Sequence, residues 1–89
     1  MNFRYITDPG HGWLEVPRGL LEVLGIQDKI TGYSYINNGY VYLEEDLDMA
    51  TFIRALKANN SGIELELDEV YQERTAIRGY DQYPQGEFA

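Results

Sequence analysis

The chain has 89 residues, 15 acidic and 7 basic side chains, 44% apolar residues and no cysteine. One small domain fits this length and a second does not, and without thiolates there is neither a disulfide framework nor a cysteine-held zinc or iron–sulfur centre. A net charge of −8 repels phosphate backbones and anionic membranes and suits basic protein surfaces.

No basic segment followed by an apolar stretch opens the chain, and the longest apolar run is Tyr40 to Leu43. Neither a signal peptide nor a membrane span is therefore expected. The charge is unevenly placed: residues 1–43 net −1, residues 44–73 net −7 and residues 74–89 net zero. Whatever the middle third faces meets a patch of acid.

In chain order, Asp8-Pro9-Gly10-His11-Gly12 reads as a turn leading into a strand, Trp13-Leu14-Glu15-Val16. Pro17 suits the first position of a helix, where its missing N–H is not needed. Leu20, Leu21, Val23 and Leu24 form the apolar stripe of that helix, and Gly25 ends it. Ile26 and Ile30 flank a polar turn, Gln27-Asp28-Lys29.

Residues 33–43 carry the clearest signal. Asn38-Gly39 between two strand-like runs predicts a two-residue β-hairpin turn, because both positions need positive φ. That register sets Asn37 opposite Tyr40, Ile36 opposite Val41, Tyr35 opposite Tyr42 and Ser34 opposite Leu43. Ser34, Ile36, Val41 and Leu43 then share the core side, and Tyr33, Tyr35, Tyr40 and Tyr42 the other.

A second helix follows, capped by Asp46 or Asp48, with Met49, Phe52, Ile53 and Leu56 on its buried stripe and Arg54 and Lys57 on the far side. Asn59 to Gly62 end it. Ile63, Leu65 and Leu67 alternate with Glu64, Glu66 and Asp68, the pattern of a half-buried antiparallel strand. Ile77, Tyr80 and Tyr83 offer one more apolar stripe. Residues 1–80 are expected to form the domain, and residues 81–89, with Pro84 and Gly86, a loosely ordered tail.

This order predicts an α+β fold: a two-layer sandwich with a small, mostly antiparallel sheet (β-α-β-β-α-β) and two short helices on one face. The opposite face would then show Tyr33, Tyr35, Tyr40 and Tyr42 beside Glu64, Glu66 and Asp68, an acidic tyrosine surface fit for docking a partner. The competing expectation is that these tyrosines only stiffen the sheet, or that the segment with Ile77 and Tyr80 folds over them.

No cofactor or metal signature accompanies this architecture. Glu44-Glu45-Asp46-Leu47-Asp48 lacks the loop glycine and the twelfth-position glutamate of an EF-hand, and helix capping accounts for it. Gly10-His11-Gly12 lacks the spacing of a phosphate loop. His11, the only histidine, could serve a hydrolase with Asp8 orienting it, but the spacing supplies no reacting group. The seven bases form no run, which disfavours nucleic acid as a partner.

Trp13-Leu14-Glu15-Val16-Pro17, with Leu20-Leu21 and Leu24-Gly25-Ile26, resembles the AbrB-related swapped-hairpin transition regulators over about thirty residues. That resemblance implies a small DNA-binding regulator, although the basic residues such proteins present to DNA are few here. Asp8-Pro9-Gly10-His11-Gly12-Trp13-Leu14, Tyr33-Ser34-Tyr35 and Val41-Tyr42-Leu43-Glu44-Glu45-Asp46 look like small acidic proteins of phages and plasmids, which have no assigned activity.

The second resemblance implies a setting in the cytoplasm of a bacterial host. The expectation is a non-enzymatic binding protein that docks on a basic host protein, a nuclease or CRISPR effector being the most concrete partner. It would act as an anti-CRISPR or anti-restriction inhibitor that imitates the charge of DNA. An edge strand in so small a sheet also makes a homodimer possible.

Overall fold

A computed structural model describes residues 1–84. Six strands form one sheet in the order β5-β1-β2-β4-β3-β6, with β1 at Asn2–Thr7, β2 at Gly12–Pro17, β3 at Tyr35–Asn37, β4 at Tyr40–Glu44, β5 at Glu66–Tyr71 and β6 at Asp81–Gln82. Helix α1 spans Arg18–Val23 and α2 Asp48–Asn59, and a 3-10 turn covers Ala76–Gly79. All pairings are antiparallel except that of β1 with β5. The α+β class and the mostly antiparallel sheet are as expected.

The hairpin has the predicted register, with Tyr35 opposite Tyr42, Ile36 opposite Val41 and Asn37 opposite Tyr40. Asn38 and Gly39 take φ of 51° and 81°, the left-handed pair that the two-residue turn requires. Helix α1 also ends as its sequence dictates. Gly25 has φ 71°, its N–H bonds the Glu22 carbonyl and the Ile26 N–H bonds the Leu21 carbonyl, so the last turn's orphan acceptors are satisfied.

Both helices lie on one face of the sheet. Leu21 of α1 and Phe52 and Leu56 of α2 close over Phe3, Leu14, Val16, Val41 and Leu43. Phe52 meets Phe3 edge to face, ring centres 5.4 Å apart at 88°. Each fully buried Leu or Phe here contributes roughly 2 kcal/mol by leaving water. Val23, expected in the α1 stripe, is 78% exposed because a six-residue helix turns only part of its circumference to the sheet.

Four expectations are corrected. Strand β1 goes unannounced in the sequence because Phe3 and Ile6 are buried on opposite faces, which erases the period-two signal. Residues 63–68 do not form a half-buried antiparallel strand: β5 starts at Glu66, runs parallel to β1 and is exposed at every position but Val70. The α2 crossover from β4 returns the chain in the direction of β1, at an edge the helices do not cover. Ile63 and Leu65, in the extended lead-in, lean on the main core instead.

The third correction concerns the tyrosine face, which is covered in part, as the competing expectation had it: Tyr42 is buried and Tyr35 half-buried, while Tyr33 and Tyr40 stay exposed. Ile77 packs on Ile6, Trp13 and Tyr42, with Tyr35, Val70 and Tyr80 around them, in a second small core. The last correction concerns the tail. Asp81 and Gln82 pair with Ile36 and Tyr35, and Tyr83 is 3% exposed within the main core, its N–H bonding the Ser34 carbonyl and its hydroxyl the Gln27 carbonyl. The remainder of the expected loose tail, residues 85–89, lies outside the described residues.

Candidate functional site

The seven residues expected to form one docking surface are not brought together. Tyr33 is 72% exposed and Tyr35 half-buried, and both line a cleft at the end of the hairpin. Tyr40 stands apart at the hairpin turn, beside a shallow depression with Arg18 and Asp81. Tyr42 is buried against Tyr80, ring centres 5.2 Å apart, and donates its hydroxyl to Glu15 at 3.0 Å. Burial and the Glu15 carboxylate both push the Tyr42 phenol well above its ordinary pKa.

Glu64 precedes β5, and its carbonyl accepts the N-terminal amine at 2.8 Å. Glu66 and Asp68 do share a sheet face with Tyr42, but β1 and β2 lie between them. The intervening surface carries an ion pair, Arg4 bonded to both Glu15 oxygens at 3.0 and 2.8 Å. The Arg4 guanidinium, ahead of the Tyr42 hydroxyl, holds the Glu15 carboxyl below its ordinary pKa.

The cleft has a volume of about 370 Å³. Its aromatic side is Trp13, Tyr35 and Tyr33, with His11 at the rim. Its acidic side is the β4–α2 junction, Glu44, Glu45, Asp46 and the 55% exposed Leu47. Trp13 and Tyr35 meet edge to face at 6.4 Å, and the Arg78 guanidinium lies 5.3 Å from the Trp13 ring centre.

The junction wall is rigid. Neither Asp46 nor Asp48 caps α2 from outside, as the sequence suggested; Glu44 does so, its carboxylate accepting the N–H groups of Asp46, Leu47 and Asp48. Asp48, the first residue of α2, is 1% exposed and accepts from the Thr31 N–H and hydroxyl and from the Ser34 hydroxyl. Ser34 in turn accepts from the Glu44 N–H at 3.0 Å. One knot thus fixes the loop carrying Tyr33 to the wall carrying Glu45 and Asp46.

Glu45 reaches across to the Tyr5 hydroxyl at 3.0 Å, and burial together with that carboxylate pushes the Tyr5 phenol up to about 12. A side chain at Gly12 would overlap this hydroxyl, so glycine there keeps the contact open. The His11 Nδ1 is 3.9 Å from the other Glu45 oxygen. Among the described residues that line the cleft with His11, the hydroxyls are the phenols of Tyr33 and Tyr35, and none is a serine, threonine or cysteine. Among the described residues no group of three or more His, Cys, Asp or Glu side chains is placed to hold a metal ion.

The opposite rim is the turn Asp8–Gly12 and the strap that follows β5. Asp8 accepts from the N–H groups of Gly10 and His11 at 2.9 Å and takes a two-pronged bond from Arg78, at 2.6 and 3.0 Å. The Arg78 fork, with those two N–H groups, holds the Asp8 carboxyl well below the usual carboxylate range.

Unfolded, Asp8 ionises near pH 4, so its folded-state contribution is present above about pH 4 and lost as pH falls below it. Asp8→Asn should therefore lower the urea midpoint at neutral pH, and its deficit against the parent protein should shrink as the pH is taken from about 4 to about 2. A deficit constant over that range would refute the assignment.

Trp13, Arg78, Glu45 and Leu47 were not singled out from the sequence. The only signals were a lone tryptophan after a glycine-flanked turn and an acidic run that capping alone explained; Asp8 and Arg78 pair across 70 residues, beyond any local pattern. No helix is long and apolar enough to cross a membrane among the described residues. No family model, no curated protein and no solved structure matches the chain.

Proposed function

We propose that the protein is a non-enzymatic binding module that docks on a basic protein by taking one of its cationic side chains into the cleft. One observation carries this reading: the rings of Tyr33, Tyr35 and Trp13 and the carboxylates of Glu44, Glu45 and Asp46 line one concave site, with Tyr33 and Asp46 open to solvent. Aromatic faces and carboxylates together favour a guanidinium or ammonium group. Arg78, stacked on Trp13 and paired with Asp8, is an intramolecular example of the same recognition.

The most concrete form is inhibition of a nucleic-acid-handling defence protein, of the anti-CRISPR or anti-restriction type, in the cytoplasm of a bacterial host. The net charge of −8 supports it, since a site built for phosphates would meet carboxylates instead. The phage and plasmid setting rests on the resemblance of the Asp8–Leu14 and Val41–Asp46 segments.

The test uses an arginine-rich peptide and the indole of Trp13 as the reporter. Saturable binding that weakens with salt is expected. Asp46→Lys should weaken it about tenfold or more, whereas Glu22→Lys, with the same charge change on exposed α1, should leave it within about twofold. Equal losses in both variants would reduce the effect to net charge and overturn the cleft. A shifted duplex DNA fragment would favour an AbrB-like regulator instead.

A further inference from the structure

Strand β5 ends the sheet. Its inner side is fully used: Asn2 to Thr7 of β1 pair with Glu66 to Tyr71, the Glu66 N–H bonds the Met1 carbonyl at 2.9 Å and the Gln72 N–H bonds the Thr7 carbonyl at 2.8 Å. Those two bonds fix the phase of the ladder. The even-numbered residues turn their N–H and C=O groups toward β1, so Leu67, Glu69 and Tyr71 turn theirs outward.

That outer edge is long and bare. Six residues span about 20 Å, Leu67 is 40% and Tyr71 60% exposed, and no described element lies beyond. Proteins normally blunt such an edge with proline, charged side chains, a bulge or brevity, and here only the carboxylates of Glu66, Asp68 and Glu69 do so. The opposite edge is blunted by brevity and proline, since β6 has two residues and Pro84 follows shortly after. Glu66-Leu67-Asp68-Glu69-Val70-Tyr71 has neither proline nor lysine, and its pairing with β1 runs without a break.

Charge selects what can pair there. Glu66 and Asp68 project to one face of the sheet with Val70, and Glu69 to the other between Leu67 and Tyr71. Arg4, in register with Asp68, is committed to Glu15 and neutralises none of them. A second copy in two-fold pairing about the strand's centre at Glu69 would set acid against acid across the new ladder, which is destabilising. An extended strand with basic residues at alternate positions meets opposite charge on one face, and an apolar residue beside Leu67 and Tyr71 on the other.

We propose that the free edge of β5 receives an extended, basic segment of a partner protein as a seventh strand. Main-chain bonds to Leu67, Glu69 and Tyr71 provide the affinity, and Glu66, Asp68 and Glu69 the preference for a basic sequence. This edge has none of the cleft's lining residues, although Tyr5, in register with Glu69, reaches the cleft's Glu45, and the occupant is a peptide backbone as well as its side chains.

The test uses the full chain, labelled with nitrogen-15, and a synthetic peptide of alternating lysine and valine. A second peptide of the same sequence carries N-methyl groups along its pairing edge. The plain peptide is expected to shift the Leu67, Glu69 and Tyr71 amides and slow their exchange, and the methylated one to bind about tenfold weaker or less.

Glu69→Pro, which deletes an outward N–H and keeps the inner ladder, should cost a similar factor, while Asp46→Lys should stay within about twofold. Equal binding of the two peptides would reduce the effect to charge and overturn the proposal. Loss of binding in Asp46→Lys alone would assign the peptide to the cleft. Concentration-dependent protection of the same amides in the free protein would give the edge to a second copy. Failure of the arginine-peptide test at the cleft leaves each of these outcomes unchanged.

Discussion

Asp48→Ala should destabilise the protein by about 3 kcal/mol, which in a domain of this size lowers the melting temperature by roughly 15 °C. The carboxylate is 1% exposed and is the acceptor for the Thr31 N–H, the Thr31 hydroxyl and the Ser34 hydroxyl. Alanine removes the acceptor and leaves those donors inside. The two hydroxyls can rotate to other partners, but the half-buried Thr31 N–H cannot, and leaving such a donor unpaired costs about 1 kcal/mol by itself.

The rest of the Asp48→Ala cost comes from the knot. Ser34 passes the Glu44 N–H on to Asp48, and Glu44 caps the first turn of α2, so loosening one member loosens all. Ser34→Ala and Asp48→Ala should consequently be less than additive when combined, by about 1 kcal/mol. Urea unfolding at neutral pH measures both effects. A loss within about 0.5 kcal/mol, as for an ordinary surface substitution, would refute the role.

Why the hairpin was legible and the site was not follows from the range of each interaction. Asn38-Gly39 needs two positive φ values and nothing from the rest of the chain, so its register is written locally. The α2 stripe and the α1 terminus at Gly25 are of the same kind. Strand β5 alternates as a half-buried strand would, but alternation reports a preference for two faces, and whether anything covers them depends on the crossover that puts β5 at an edge.

The acidic third of the chain divides for a similar reason. Asp48 is buried, Glu44 serves as a cap, Glu45 and Asp46 line the cleft, and Glu64, Glu66, Asp68 and Glu69 surround the β5 edge. A linear count of charge joins these residues, whereas the sheet order sets two strands between the cleft's β4 and β5. Tyr42 shows the same limit. Its face was read from the pleat, and its burial depends on Ile77 and Tyr80, more than thirty residues later.

Trp13→Ala should cost about 3–5 kcal/mol, the range for deleting a large buried aromatic side chain. The ring is 3% exposed and sits where the second core and the cleft meet, between Ile77 and Tyr42 on one side and Tyr35 and Arg78 on the other. The strap can settle only partly into the gap, because the Gln72 N–H bond to the Thr7 carbonyl holds its start, and the two-pronged Asp8–Arg78 bond and the pairing of Asp81 with β3 hold its end. The loss is a large fraction of the stability a chain of this length commonly has.

Because Trp13 is the only tryptophan, its own fluorescence cannot follow the variant, and far-UV circular dichroism during urea unfolding compares the two on equal terms. Trp13→Phe separates packing from recognition. It keeps an aromatic floor with a smaller face, so the fold should persist while the Ile77–Tyr80 amides exchange faster than those of the hairpin. Arginine-peptide affinity, read by nuclear magnetic resonance, should fall severalfold, in line with the weaker attraction of a phenyl face for a guanidinium. An unchanged urea midpoint in Trp13→Ala would mean that the strap does not pack on this ring.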